Sequence, residues 1–144
     1  MIIKYFIMKH LLLFFLTSIA WYGVHAQTTY ITSEQKQVCH WDSTEQKFSI
    51  CTAQEEFQCM FTLNAEQTMF THTTPGIKSS YYVQSKKYEA ESDCYDYEVT
   101  SDVGNKYKFI IGNNAANVVI LSTGHEIMSN DYIVKFTIKK KWSE

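Results

Sequence analysis

Asp131-Tyr132-Ile133-Val134-Lys135-Phe136-Thr137-Ile138-Lys139-Lys140 puts Tyr132, Val134, Phe136 and Ile138 on one side and Lys135, Thr137 and Lys139 on the other. Period-two alternation is the spacing of a pleated strand, so this stretch reads as a strand with one face in a core and one in water. The same pattern recurs through Phe57, Cys59, Phe61 and Leu63, through Tyr95, Tyr97 and Val99, and through Tyr107, Phe109 and Ile111. Less regular candidates are Val38–Trp41, Lys47–Thr52, Gln67–Thr73, Ser80–Gln84 and Asn117–Leu121, all rich in residues that suit a half-buried sheet. Eight or nine short strands result, with no amphipathic helix.

The turn Ser101-Asp102-Val103-Gly104-Asn105 fixes one register. With Asp102 and Val103 in a type I turn and Gly104 left-handed, Ser101 pairs with Asn105, Tyr97 faces Phe109 and Val99 faces Tyr107. Both apolar sets then share one face, as a one-sided core requires. Gly112-Asn113-Asn114 and Ser122-Thr123-Gly124 supply further turns, and Thr74-Pro75-Gly76 breaks the chain between two strands. Strands that follow one another through tight turns form an antiparallel meander, which closes into a small barrel or folds into a sandwich. The up-and-down order favours the barrel. This all-β layout is similar to that of the calycins, the lipocalin-like ligand carriers, although their first-strand Gly-x-Trp has no counterpart: Trp41 follows Cys39-His40.

A chain of 144 residues holds one domain. Residues 1–26 read as a signal peptide: lysines at 4 and 9, an apolar stretch Leu11–Ala20, then Val24-His25-Ala26 before Gln27. Ten apolar residues fall short of the roughly 20 that span a bilayer. Residues 27–36 read as a flexible N-terminal segment and 37–144 as a single β domain. The product is expected in a periplasm or outside the cell, without stable membrane insertion once the leader is removed. The formal net charge is −2, all 13 basic residues are lysine, and no acidic residue lies in the leader, so its loss makes the chain more acidic. Nucleic acid is a poor partner for that balance. Without arginine, anion recognition falls to lysines and backbone amides.

An oxidising compartment favours disulfides among Cys39, Cys51, Cys59 and Cys94. No C-x-x-C is present and the spacing matches no zinc ribbon. Cys39 and Cys51 flank a hairpin tip at Asp42–Gln46, equally far from its middle. Cys59 with Cys94 is then the remaining pair, closing a loop worth about 3 to 4 kcal/mol.

Fingerprints of catalysis are incomplete. His40, His72 and His125 could share a metal only if the fold assembled them, and His125-Glu126-Ile127-Met128-Ser129 has serine where a zincin needs its second histidine. No G-x-S-x-G elbow occurs, and Cys39 and His40 point to opposite strand faces. Ser33–Lys36 matches S-x-x-K without its companion motifs, and Tyr82 with Lys86 lacks a phosphate loop. The acidic run Glu89, Glu91, Asp93, Asp96 and Glu98 has the alternation of a wet face, with no ordered calcium loop. The chain is therefore read as non-catalytic, with no cofactor and no metal.

The most suggestive feature is aromatic: ten tyrosines, nine phenylalanines and three tryptophans. Rings with phenolic hydroxyls suit the gripping of a small apolar or amphipathic ligand, and equally suit the filling of a core. The expected ligand-binding set is Tyr95, Tyr97, Tyr107, Phe109 and Tyr132. The expected function is that of a secreted or periplasmic binding protein. The alternative is a protein-interaction module, an inhibitor or envelope-associated factor, acting through loops and strand edges.

Overall fold

The computed structural model describes residues 26–114, 116–124 and 131–144. Nine strands follow in order: β1 (Thr29–Asp42), β2 (Lys47–Cys51), β3 (Glu55–Leu63), β4 (Met69–Thr73), β5 (Lys78–Glu89), β6 (Cys94–Ser101), β7 (Lys106–Gly112), β8 (Asn117–Ser122) and β9 (Tyr132–Ser143). From β3 to β9 each strand pairs antiparallel with the next, and β9 returns to pair with β1 along Thr29 to His40. β1 also pairs with β3, so eight strands close a barrel. β2 stays outside that ring, attached to the last residues of β1. Closure removes the open edges that an eight-stranded meander would otherwise present.

The barrel is closed because each strand carries one face of rings and branched chains. Phe61, Phe70 and Phe109, from three different strands, are fully buried. Phe109 lies 5.2 Å from Phe70 and 6.2 Å from Phe61, centroid to centroid, and Phe61 lies 5.2 Å from Phe136. Val99, Val118, Ile31, Leu63 and Ile111 complete the packing. Edge-to-face rings at these separations fill the middle of the barrel.

Turn chemistry sets the registers. Ser101 N–H donates to the Asn105 carbonyl at 2.8 Å, Gly104 N–H to the Ser101 carbonyl at 2.9 Å, and Gly104 has φ of +88°. Tyr97 faces Phe109 and Val99 faces Tyr107, the pairing expected from the turn. In three other hairpins the left-handed position is held without glycine, by Gln46, Gln67 and Asp93. Side chains compensate: Asp42 Oδ1 accepts from the Thr44 and Glu45 amides, and Asn64 Oδ1 from those of Thr68 and Met69.

Several sequence expectations need correction. Residues 29–36, expected to be flexible, are strand, paired with β3 on one side and β9 on the other. A bulge at Glu34 hides them: Ile31 and Ser33 are buried before it, and Lys36 and Val38 take up the inner side after it, so the period breaks. The Cys39–Cys51 disulfide forms, the extra residue Ser49 in β2 shifting the register so that Cys39 meets Cys51 and not Ile50. Cys59 and Cys94 do not pair; both are free and buried. Cys59 belongs to the interior cluster, whereas Cys94 shares the outer face with Asp96, to which its thiol reaches at 3.8 Å. They sit on opposite sides of the wall, in strands that are not neighbours. Residues 1–25, which hold nearly all of the expected signal peptide, lie outside the described residues. Among the described residues no helix is long and apolar enough to cross a membrane.

Candidate functional site

The barrel has two distinct ends. β1 begins and β9 finishes at one, here called the terminal end, with the loops that follow β3, β5 and β7. The hairpin end carries the β1–β2 turn and the loops that follow β4, β6 and β8.

The expected site residues are spread between them. Tyr95 and Tyr97 lie on β6 toward the terminal end, their rings 6.2 Å apart. Tyr97 is 5% exposed and packs edge-on to Phe70 at 4.9 Å; the buried polar side-chain atom left without a partner among the described residues is not its hydroxyl but His72 Nε2. Burial, then the neighbouring Tyr95, pushes that phenol up to about 12. Phe109 is core. Tyr107 lies toward the hairpin end, in edge contact with Tyr81 at 5.6 Å. Tyr132 keeps the inner parity of β9 but precedes the first residue of that strand paired with β8, so it stands beyond the rim, 52% exposed, its ring 5.8 Å from His40. The structure thus brings Tyr95 and Tyr97 together over Phe70 and leaves Tyr132 apart.

Sequence reasoning did not place Lys86, Gln67, Lys141 or Tyr88 at the terminal end. A bulge between Val83 and Ser85 shifts β5 by one place: Ser85 faces Glu98 on the outside, its hydroxyl 3.0 Å from that carboxylate, and Lys86 faces Tyr97 on the inside. Lys86 Nζ sits 4.1 Å from the Tyr95 ring centroid and 5.5 Å from that of Tyr97, a cation–π arrangement, and donates to Gln67 Oε1 at 2.7 Å. A second bulge, at Lys139 of β9, places Lys141 opposite the core residue Ile31. Desolvation, then the charge of Lys141, holds the Lys86 ammonium below the usual lysine range. Tyr88 completes the mouth, 5.1 Å from Tyr95, its hydroxyl donating to Asp93 Oδ1 at 2.8 Å. The sequence sign was faint: after Val83, alternation stumbles at Gln84-Ser85.

Other candidate chemistry is accounted for locally. Asp93 accepts from Asn113 Nδ2 at 2.8 Å as well as from Tyr88, which together hold its carboxyl below the usual range. Asp96 pairs with Lys108 at 3.4 Å, and Glu89 with Lys87. His72 lies inside the barrel, stacked on Phe61 at 4.4 Å, with Nε2 buried and unpartnered; desolvation lowers its pKa and keeps it neutral. His40 is exposed at the hairpin end, and His125 lies outside the described residues. Burial pushes the Cys59 thiol up to about 11, against the opposing effect of Ser33, so the thiol stays protonated near neutrality and is a poor nucleophile. Among the described residues no three His, Cys, Asp or Glu side chains converge to hold a metal ion.

Fold and site together define a closed eight-stranded antiparallel barrel with an extra strand and with aromatic clusters, an architecture compatible with a binding protein. Comparison with protein families, with curated proteins and with solved structures finds no match for the chain.

Proposed function

We propose that this chain is an exported, non-catalytic binding protein that takes a small amphipathic ligand against the tyrosines at the terminal end of its barrel. The observation that carries the reading is Tyr97: a phenol-bearing ring 5% exposed, edge-on to Phe70 and 6.2 Å from the Tyr95 ring, in a wall of aromatic side chains. Such a group is matched by a ligand that offers a flat apolar face and a polar atom together. Tyr95 and Tyr88 extend the aromatic wall outward, and Phe70 and Phe109 form a filled floor, so the ligand lies in the mouth and not along the barrel axis. The leader-like residues 1–26 and the Cys39–Cys51 disulfide support a periplasmic or extracellular location.

Native mass spectrometry of the freshly secreted protein, with thermal unfolding before and after addition of extracted cell lipid, tests the reading. A retained small mass and a raised midpoint are expected; ligand at about 100 times its Kd adds about 2.7 kcal/mol. A clean apoprotein mass with an unmoved midpoint would discard it. One observation favours a second reading, docking of a protein partner: among the described residues β2 pairs only with β1 and displays Ile50, 57% exposed, beside its free edge.

A further inference from the structure

From the terminal end of the barrel we infer that the ligand is an anion: a planar, ring-bearing carboxylate whose head group lies between Lys86 and Lys141 while its ring rests on Tyr95. The inference deepens the proposed ligand mouth and rests on it. Three independent features converge. Two separate β-bulges, one in β5 and one in β9, turn one lysine each to the inner side of the same mouth. Bulges of this kind re-aim side chains and are concentrated beside sites. Both side chains remain exposed, and each stands on the inner side of the terminal end, in strands that are not neighbours; desolvation first, and the charge of Lys141 second, disfavour the charged form of Lys86.

Their partners are the second feature. Lys36, Lys47, Lys87, Lys108 and Lys139 each reach a carboxylate. Lys86 reaches only the neutral amide oxygen of Gln67, and it and Lys141, like Lys78, Lys106, Lys135 and Lys140, have no carboxylate partner among the described residues; what sets the two apart is that bulges turn them to the inner side of one end. Two like charges on the inner side of one end gain from any anion placed between them. The third feature limits what the rest of that anion can be. The packed Phe70, Tyr97 and Phe109 rings leave the ligand's body at the mouth, where the faces it meets are aromatic. A flat ring satisfies that geometry.

Calorimetric titration of the purified chain with naphthoate and with its neutral counterpart naphthamide tests the inference. Naphthoate is expected to bind at least about tenfold more tightly than the amide. Lys86→Met and Lys141→Met are each expected to weaken naphthoate by about tenfold, with unchanged thermal midpoints. Lys87→Met, on the outer face and paired with Glu89, is expected to leave it unchanged. Equal binding of acid and amide, or indifference to both inner-lysine variants, overturns the anion inference and leaves the tyrosine mouth standing. Binding of neither probe overturns the mouth itself.

Discussion

Lys36 and Lys86 are near mirror images at opposite ends of the barrel. Each is turned inward by a bulge, at Glu34 in β1 and at Gln84 in β5, and each sets its ammonium over a ring, Phe57 at 4.4 Å and Tyr95 at 4.1 Å. What surrounds them differs. Lys36 meets Glu55 at 3.0 Å and is neutralised within the fold, while Lys86 meets an uncharged amide and the repulsion of Lys141. A bulge-delivered lysine is therefore a structural part at one end and an unspent charge at the other. The difference teaches that the chemistry of such a barrel is read from the partner a side chain lacks, since placement and ring contact are nearly the same.

The comparison treats the ends as separate, which requires a solid middle. Phe109→Ala should lower unfolding stability by about 3 to 5 kcal/mol in urea denaturation. A loss below about 1 kcal/mol would mean a loose interior through which the ends communicate. The hairpin end alone carries the disulfide, so reduction of Cys39–Cys51 should cost about 2 to 3 kcal/mol. Amide exchange should rise in β2 and the adjoining part of β1, and naphthoate binding should be unmoved. Protection lost at β5 or β6 would break the division.

Exchanging the missing partner sharpens it further. Gln67→Glu places a carboxylate where Lys86 now donates to an amide and makes the terminal end resemble the other. Naphthoate affinity should fall by about tenfold, roughly 1.4 kcal/mol, in calorimetry. The smallest effect is expected from His72, neutral against Phe61. Its folded pKa lies below the unfolded value of 6.5, so the unfolded chain takes up the proton first. Stability is complete above pH 6.5 and declines as pH falls through and below it, by no more than about 1.4 kcal/mol per pH unit. Denaturation midpoints at pH 7.5 and 5.5 should converge in His72→Phe, after the carboxylate contribution common to both proteins is subtracted.

Legibility followed regularity of period. The hairpin around Gly104 could be read residue by residue because its turn admits one register and both apolar sets agree with it. Phe57 to Leu63 and Val134 to Ile138 were legible for the same reason. Periodicity does not show the residues inserted at Glu34, Gln84 and Lys139, which set the inner side of β1, β5 and β9 and with it the placement of Lys36, Lys86 and Lys141. The Cys59–Cys94 pairing failed for a different reason. Elimination alone points to that pair, whereas alternation sets Cys59 with the inward Phe61 and Cys94 one place from the inward Tyr95.

The amino-acid order by itself determined that this is an antiparallel β protein, with the Tyr97 and Phe109 rings on one face. Those features depend on neighbours close along the chain and on a period that local sterics enforce. Only the tertiary structure decided that β9 closes on β1, that Cys59 and Cys94 lie on opposite sides of the wall, and that bulges turn Lys86 and Lys141 to the inner side. Each of these turns on a single inserted residue or on strands distant in sequence, and a one-place shift in a pleated strand exchanges inside for outside.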